Sequence, residues 1–210
     1  MKNNCVTLIL AGGNSSRMNY PKPFLKIAGR TFVSHIAGAY ITAGVTNIIL
    51  VLNSTFLNSD WKSHLEQLPA SVKIVPNLFP EKDRLYSIQT GLAAAPDAGF
   101  CFIHNADSPL ISPETIVALW NNRKADGAVI PVFKNKKGHP ILLSLPIMRR
   151  IKPMAPGDKT LKDVLRHFPQ TCIETDDKAI LLNVNTPEEY ENINRMPILS
   201  NSADIDEVKP

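Results

Sequence analysis

The 210-residue chain suits one α/β domain with an ample core; 44% of it is apolar, and no apolar stretch approaches the length of a membrane span. The net charge of +4 is carried by the body: Ser200–Pro210 holds Asp204, Asp206 and Glu207 against Lys209, a net of −2, so the rest stands at +6. A mildly basic body suits polyanionic small substrates, and no basic stripe interleaved with aromatics marks a nucleic-acid binder. Three widely spaced cysteines, Cys5, Cys101 and Cys172, contain no C-x-x-C, which argues against a disulfide frame or a zinc site; they read as buried strand thiols. Met1–Asn4 runs straight into the first strand without room for a signal peptide, so cytoplasmic residence is expected.

The first predicted element is a buried strand, Val6–Leu10, ending in Leu10-Ala11-Gly12-Gly13-Asn14-Ser15-Ser16-Arg17. Helix one covers Thr31–Ala43, with Phe32, Val33, Ile36, Ala37, Tyr40 and Ile41 on one face and Gly44 as its stop. Then follow a strand at Asn47–Leu52, a helix at Thr55–Leu68, a strand at Val72–Val75 and a helix at Leu85–Ala94. Phe100–His104 is the fourth strand, and a helix starts at Ser112-Pro113-Glu114 with a serine cap and proline in its first turn. Ala128–Phe133 and Pro140–Leu143 form a strand pair around the Lys134–Gly138 turn. Thr160–Phe168 is a short helix, Thr171–Glu174 and Ile180–Asn183 are late strands, and Pro187–Ile193 is the last helix behind a Thr186/Glu189 capping box. Alternating strands and helices predict an α/β fold: three layers, Rossmann-like, with a mainly parallel mixed sheet. Residues 1–195 form one domain, and 196–210 a flexible tail.

Ligands of such sheets bind beyond the carboxyl ends of the strands. The Gly12–Lys22 loop, Asn53, Asp107 and Asn183-Val184-Asn185 should therefore converge. Glycines let backbone N–H groups approach an anion closely, and Arg17 and Lys22 add fixed positive charge. That is a triphosphate cradle without the spacing of a Walker loop or of G-x-G-x-x-G. Asp107 is placed to hold Mg²⁺ together with substrate phosphates; equally, it could make a turn with its own backbone before Pro109. Arg84 and Ser87 open a helix whose free N–H groups suit an anion or a base edge. His139 either contacts an acceptor or merely starts a strand, and His35 reads as a packed residue.

The run Leu10–Met18, with Lys22 beyond it, resembles the L-A-[A/G]-G-x-[S/G]-x-R-M signature of nucleotidyltransferases that act on molybdopterin, sugar phosphates or methylerythritol phosphate. Over most of residues 5–195 the chain resembles the molybdenum cofactor nucleotidylyltransferases. The resemblance implies Mg²⁺-dependent transfer of a nucleotidyl group from GTP or CTP to molybdopterin, with pyrophosphate released. It implies Arg17 and Lys22 as catalytic cations and Leu10, Ala11, Gly12, Gly13, Ser15, Asn53, Arg84 and Ser87 around the nucleotide. It also implies Asp107, Asn183 and Asn185 at the metal, and His139 and Lys159 at the acceptor. Its details divide. Gly12 and the Asn183–Glu188 segment look like the guanylyl type; the Arg17-to-Lys22 spacing, Arg84 to Gly91, and Gly138-His139-Pro140 look like the cytidylyl type. Asn19 stands where glycine is expected, and asparagines stand where many members have a metal-binding aspartate. The missing methyl at Gly12 is expected to leave room for a purine, so that GTP is used at least as well as CTP and Gly12→Ala shifts preference towards CTP. The run Pro21–Arg30 is closer to enzymes that activate sugar or polyol phosphates, which is the alternative reading. A non-catalytic nucleotide binder on the same fold is the second, and the presence of Arg17, Lys22 and Asp107 speaks against it. The oligomeric state is left open.

Overall fold

In the computed structural model, which describes residues 4–14, 17–18, 20–155, 157 and 159–195, the first apolar run forms β1 (Cys5–Ala11). Cys5, Ile9 and Ala11 join one core, while Val6, Leu8 and Leu10 join another. This is the pattern of a strand covered on both faces. A short antiparallel pair follows, β2 (Lys26–Ile27) and β3 (Arg30–Thr31). Thr31 then caps α1 (Phe32–Thr42) by accepting from the Ser34 N–H at 3.2 Å, and Gly44 ends it at φ +85°.

β4 (Ile48–Asn53), α2 (Lys62–Glu66), β5 (Val72–Asn77), α3 (Arg84–Ala94), β6 (Phe100–Asn105) and α4 (Pro113–Asn121) continue the alternation. The chain then forms β7 (Ala128–Phe133), β8 (Lys136–Lys137), β9 (Ile141–Ser144), α5 (Leu145–Ile151), α6 (Leu161–Leu165), β10 (Gln170–Glu174) and α7 (Pro187–Asn194). The main sheet has the order β10-β7-β9-β6-β1-β4-β5, with β8 paired to β7. β5, β4, β1 and β6 are mutually parallel, as are β7 and β10; β9 is antiparallel to both its neighbours. Side chains of α1 and α4 fill one core; those of α3, α5 and α6 fill the other. The fold is therefore the expected three-layer α/β arrangement on a mainly parallel sheet. Gly91 lets α3 lie close to it, since a Cβ there would stand 2.8 Å from Leu8 and 2.9 Å from Val51. Among the described residues no helix is long and apolar enough to cross a membrane.

Several local expectations are corrected. Ile180–Asn183 is not a strand: residues Lys178–Leu181 form a 3₁₀ turn because Asp177 caps it, accepting from the Ala179 N–H at 3.0 Å. The helix expected at Thr55–Leu68 is broken into two 3₁₀ turns and the short α2, since Asn53 and Asn58 each start a new turn with the side-chain oxygen. Likewise, the helix expected at Thr160–Phe168 is confined to α6. Cys172 is exposed on the edge strand β10, whereas Cys5 and Cys101 are buried. The Met196–Pro210 segment lies outside the described residues.

Candidate active site

A cavity of about 430 Å³ opens at the carboxyl ends of β1 and β6. Leu10, Ala11, Gly12 and Gly13 form one side of it with Arg17 and Lys22. Lys82, Asp83, Arg84 and Ser87, at the start of α3, form the other, and Asn105, Ala106 and Asp107 lie between. Four cations thus face two carboxylates, a balance that suits a polyanion. Ser15 lies outside the described residues.

Lys22 is delivered by a 3₁₀ turn over Lys22–Phe24, which Pro21 precedes and Pro23 stiffens. Phe24 stacks on Trp61 at 5.3 Å, which anchors this turn to the core. The Lys22 Nζ donates to Asn185 Oδ1 at 2.7 Å and stands 4.0 Å from Asp107 Oδ2. Burial lowers its pKa; Asp107 opposes that shift and Arg17 adds to it. Arg84 carries a guanidinium whose pKa is also lowered by burial and partly restored by Asp107. Lys82, which the sequence reading passed over, has its Nζ 4.3 Å from the Phe79 ring and 4.5 Å from the Tyr86 ring. The spacing of Phe79, Lys82 and Tyr86 was the available signal.

The Asp107 loop and the Asn183–Asn185 segment meet. The Val184 N–H donates to the Asp107 carbonyl at 2.8 Å. Ser108 Oγ lies 2.8 Å from Asn183 Oδ1 and 3.3 Å from Asp107 Oδ1. Asn185 reaches the site through Lys22, while its own N–H donates to Glu189 Oε2 at 2.6 Å. Among the described residues no cluster of three or more His, Cys, Asp or Glu side chains could hold a metal. The donors here are one carboxylate and two carboxamide oxygens. This all-oxygen set fits Mg²⁺, which takes one or two carboxylates and completes its shell with water and phosphate. The Lys22 ammonium already lies against Asp107 and Asn185, so the region tolerates a cation.

Asn53 is brought to the glycine loop but not to the cavity surface. It is fully buried, its Nδ2 donating to Asn14 Oδ1 at 2.9 Å and to the Gly13 carbonyl at 3.4 Å, while its Oδ1 accepts from Thr55. Its counterpart on the next strand, Asn77, went unrecognised in the sequence. Asn77 is buried, donates to the Gly12 carbonyl at 3.2 Å and to Ser87 Oγ at 3.3 Å, and accepts from the Phe79 N–H at 3.0 Å. This overturns the steric argument about Gly12. A Cβ at Gly12 would stand 2.4 Å from Asn77 Nδ2 and 2.6 Å from Ser87 Oγ. The space left by the missing methyl is filled by this polar pair, not held open for a base.

His139 and Lys159 do not line the cavity. The His139 N–H donates to the Ile180 carbonyl at 2.9 Å, and its buried Nδ1 has no hydrogen-bond partner among the described residues. Burial pushes its pKa down to about 3, helped by Arg84 and His104. Lys159 is exposed. His35 is packed as expected, its Nε2 2.8 Å from the Ile27 carbonyl.

Comparison with known proteins gives the family. A probable molybdenum cofactor guanylyltransferase of Flavobacterium johnsoniae is 27% identical over 193 residues, covering 90% of this chain and 95% of that one. A 2-C-methyl-D-erythritol 4-phosphate cytidylyltransferase of Nocardia farcinica is 31% identical over 132 residues, covering 61% of this chain and 55% of that enzyme. A Mycobacterium tuberculosis protein solved as a manganese complex shares the fold, with a TM-score of 0.73 at 19% identity over 91% of this chain and 98% of that one. Residues 7–173 match the MobA-like NTP transferase domain, and the chain belongs to that family of nucleotidyltransferases.

Proposed function

We propose that the chain transfers a nucleotidyl group from GTP or CTP to the phosphate of molybdopterin, with Mg²⁺ as its metal. The observation that carries this reading is the cavity itself: a glycine loop, four cations and two carboxylates among its described lining residues, with Asn183 and Asn185 behind it, joined to Ser108 and Lys22. An oxygen of the acceptor phosphate attacks the α-phosphorus. The bond to the bridging oxygen of the β-phosphate breaks, and pyrophosphate leaves. The metal would be held by Asp107 with Asn183 and Asn185, and would neutralise charge on the phosphates. Backbone N–H groups of Gly12 and Gly13 bind the triphosphate, and Arg17 and Lys22 stabilise the charge that spreads over it in the transition state. Ser87 and Arg84 bind from the opposite wall. His139 and Lys159 contact the acceptor once it extends beyond the cavity. The near-complete overlap with the guanylyltransferase relative supports molybdopterin as acceptor.

The shorter but more identical match to a polyol-phosphate enzyme favours a second reading, transfer of CMP to methylerythritol phosphate. Pyrophosphate release across the common NTPs, with each acceptor and with none, separates the two. The expected result is release from GTP or CTP that requires molybdopterin. Release that requires methylerythritol phosphate instead would replace the first reading by the second.

A further inference from the structure

Beneath the Asp107 loop runs a buried polar chain that the reaction described above does not use. His104, on β6, is 1% exposed, and Tyr40, on α1, is 0% exposed. Tyr40 Oη lies 3.1 Å from His104 Nδ1, and His104 Nε2 lies 2.8 Å from the Ser108 carbonyl oxygen. A carbonyl only accepts, so Nε2 carries the proton, Nδ1 is the acceptor and the Tyr40 hydroxyl donates. Burial pushes the His104 pKa down to about 4, so the ring is neutral near pH 7 and this arrangement is the one present.

The chain ends on Ser108, and Ser108 is no ordinary turn residue. Its hydroxyl donates to Asn183 Oδ1 at 2.8 Å and stands 3.3 Å from Asp107 Oδ1. Its N–H donates to the Asn105 carbonyl at 3.1 Å, closing the turn that presents Asp107, and the next-but-one backbone group, the Ala106 N–H, is fixed to the Leu10 carbonyl at 3.0 Å. A Tyr–His pair that merely filled core space would be interchangeable with apolar residues of similar shape. This one ends on the residue whose hydroxyl lies between the Asn183 and Asp107 side chains.

We propose that Ser108 is a positioning residue which holds Asp107 and Asn183 in register for the metal, and that Tyr40 and His104 form the brace that holds Ser108. The inference rests on the proposed function in one respect, the assignment of Asp107 and Asn183 to the metal. Groups that orient ligands in this way typically change metal affinity about 10–100-fold when removed.

The test follows Mn²⁺ by electron paramagnetic resonance in the presence of α,β-methylene GTP or CTP, alongside the Mg²⁺ dependence of turnover. Ser108→Ala and His104→Leu should each weaken Mn²⁺ binding and raise the half-saturating Mg²⁺ by about tenfold or more, with kcat at saturating metal nearly retained. His104→Gln, whose amide N–H can reach the same carbonyl, should stay close to the unmodified protein. Asp107→Asn is the control. If it weakens Mn²⁺ binding while Ser108→Ala leaves it unchanged, the positioning role is overturned and the metal assignment stands. If Asp107→Asn also leaves binding unchanged, the metal assignment itself fails. Should His104→Leu not fold, Ser108→Ala decides alone.

Discussion

Replacing Gly12 by alanine tests the packing between β1, β5 and α3. The added Cβ would stand 2.4 Å from Asn77 Nδ2 and 2.6 Å from Ser87 Oγ, so something must move. Asn77 is 1% exposed and held at three points, by the Gly12 carbonyl, Ser87 Oγ and the Phe79 N–H. It cannot step aside without breaking the first two bonds. A buried polar group left unsatisfied costs about 1–3 kcal/mol, and forcing extra volume into a packed site costs about as much. The sum is about 2–6 kcal/mol, which at about 2–4 °C per kcal/mol for a chain of this size lowers Tm by about 4–24 °C. The glycine loop shifts with it, so kcat/KM should fall for GTP and CTP alike, and their ratio should change less than about threefold, which is under 1 kcal/mol of discrimination. Thermal denaturation and steady-state kinetics read both effects. Adding Asn77→Ala to Gly12→Ala should recover part of the lost stability, because the two changes share one space. An unchanged Tm with a strong shift of the ratio towards CTP would refute the reasoning and return the space to the base.

Three further outcomes are expected. Arg17→Ala should lower turnover by on the order of 10²–10³, the usual loss for a group that stabilises developing charge, and near-normal turnover would remove Arg17 from the reaction. Asp107→Asn should raise the Mg²⁺ concentration for half-maximal rate without lowering Tm; an unchanged metal titration would leave Asp107 as a turn residue. Stability should also fall in acid. His104 is held neutral with its pKa at about 4 instead of the ordinary 6.5, so between those values the unfolded chain takes up a proton that the fold refuses. The loss, on the order of 3 kcal/mol, is absent above pH 6.5 and complete near pH 4. His104→Gln should remove that part of the slope, and an equal acid loss in the variant would assign it elsewhere.

Much of this molecule was legible in its sequence because the sheet is buried on both faces. The apolar runs at β1, β4 and β6 and the caps at Ser112 and Thr186 need no tertiary information. Where the reading failed, short-range polar chemistry or position in the sheet decided. The run Ile180-Leu181-Leu182 looks like a strand, but the Asp177 side chain turns it into 3₁₀. α5 follows β9 without an intervening turn, Ser144 ending the strand and preceding the helix, so the start signal of Ser144 and Pro146 is masked by the apolar run on either side. Pro76 made strand three seem to stop at Val75. β5 is an edge strand, where proline is tolerated, and it continues to Asn77. That one misplaced boundary hid the residue that fills the space beside Gly12. Within the site, the glycine loop, Arg17, Lys22, Arg84, Ser87 and Asp107 meet around one cavity, as their positions after strands and before helices imply. The role of Asn53 as a brace and the caging of Lys82 depend on side-chain contacts that no spacing records.

In the proposed reaction the new bond is made to the α-phosphorus. The measurement that tests it most directly uses GTP or CTP radiolabelled at the α-phosphate, with molybdopterin as acceptor and the products separated. Nucleotidyl transfer puts the label on the acceptor and releases the β- and γ-phosphates together as unlabelled pyrophosphate. Label recovered in free nucleoside diphosphate, with the γ-phosphate on the acceptor or in water, would contradict it.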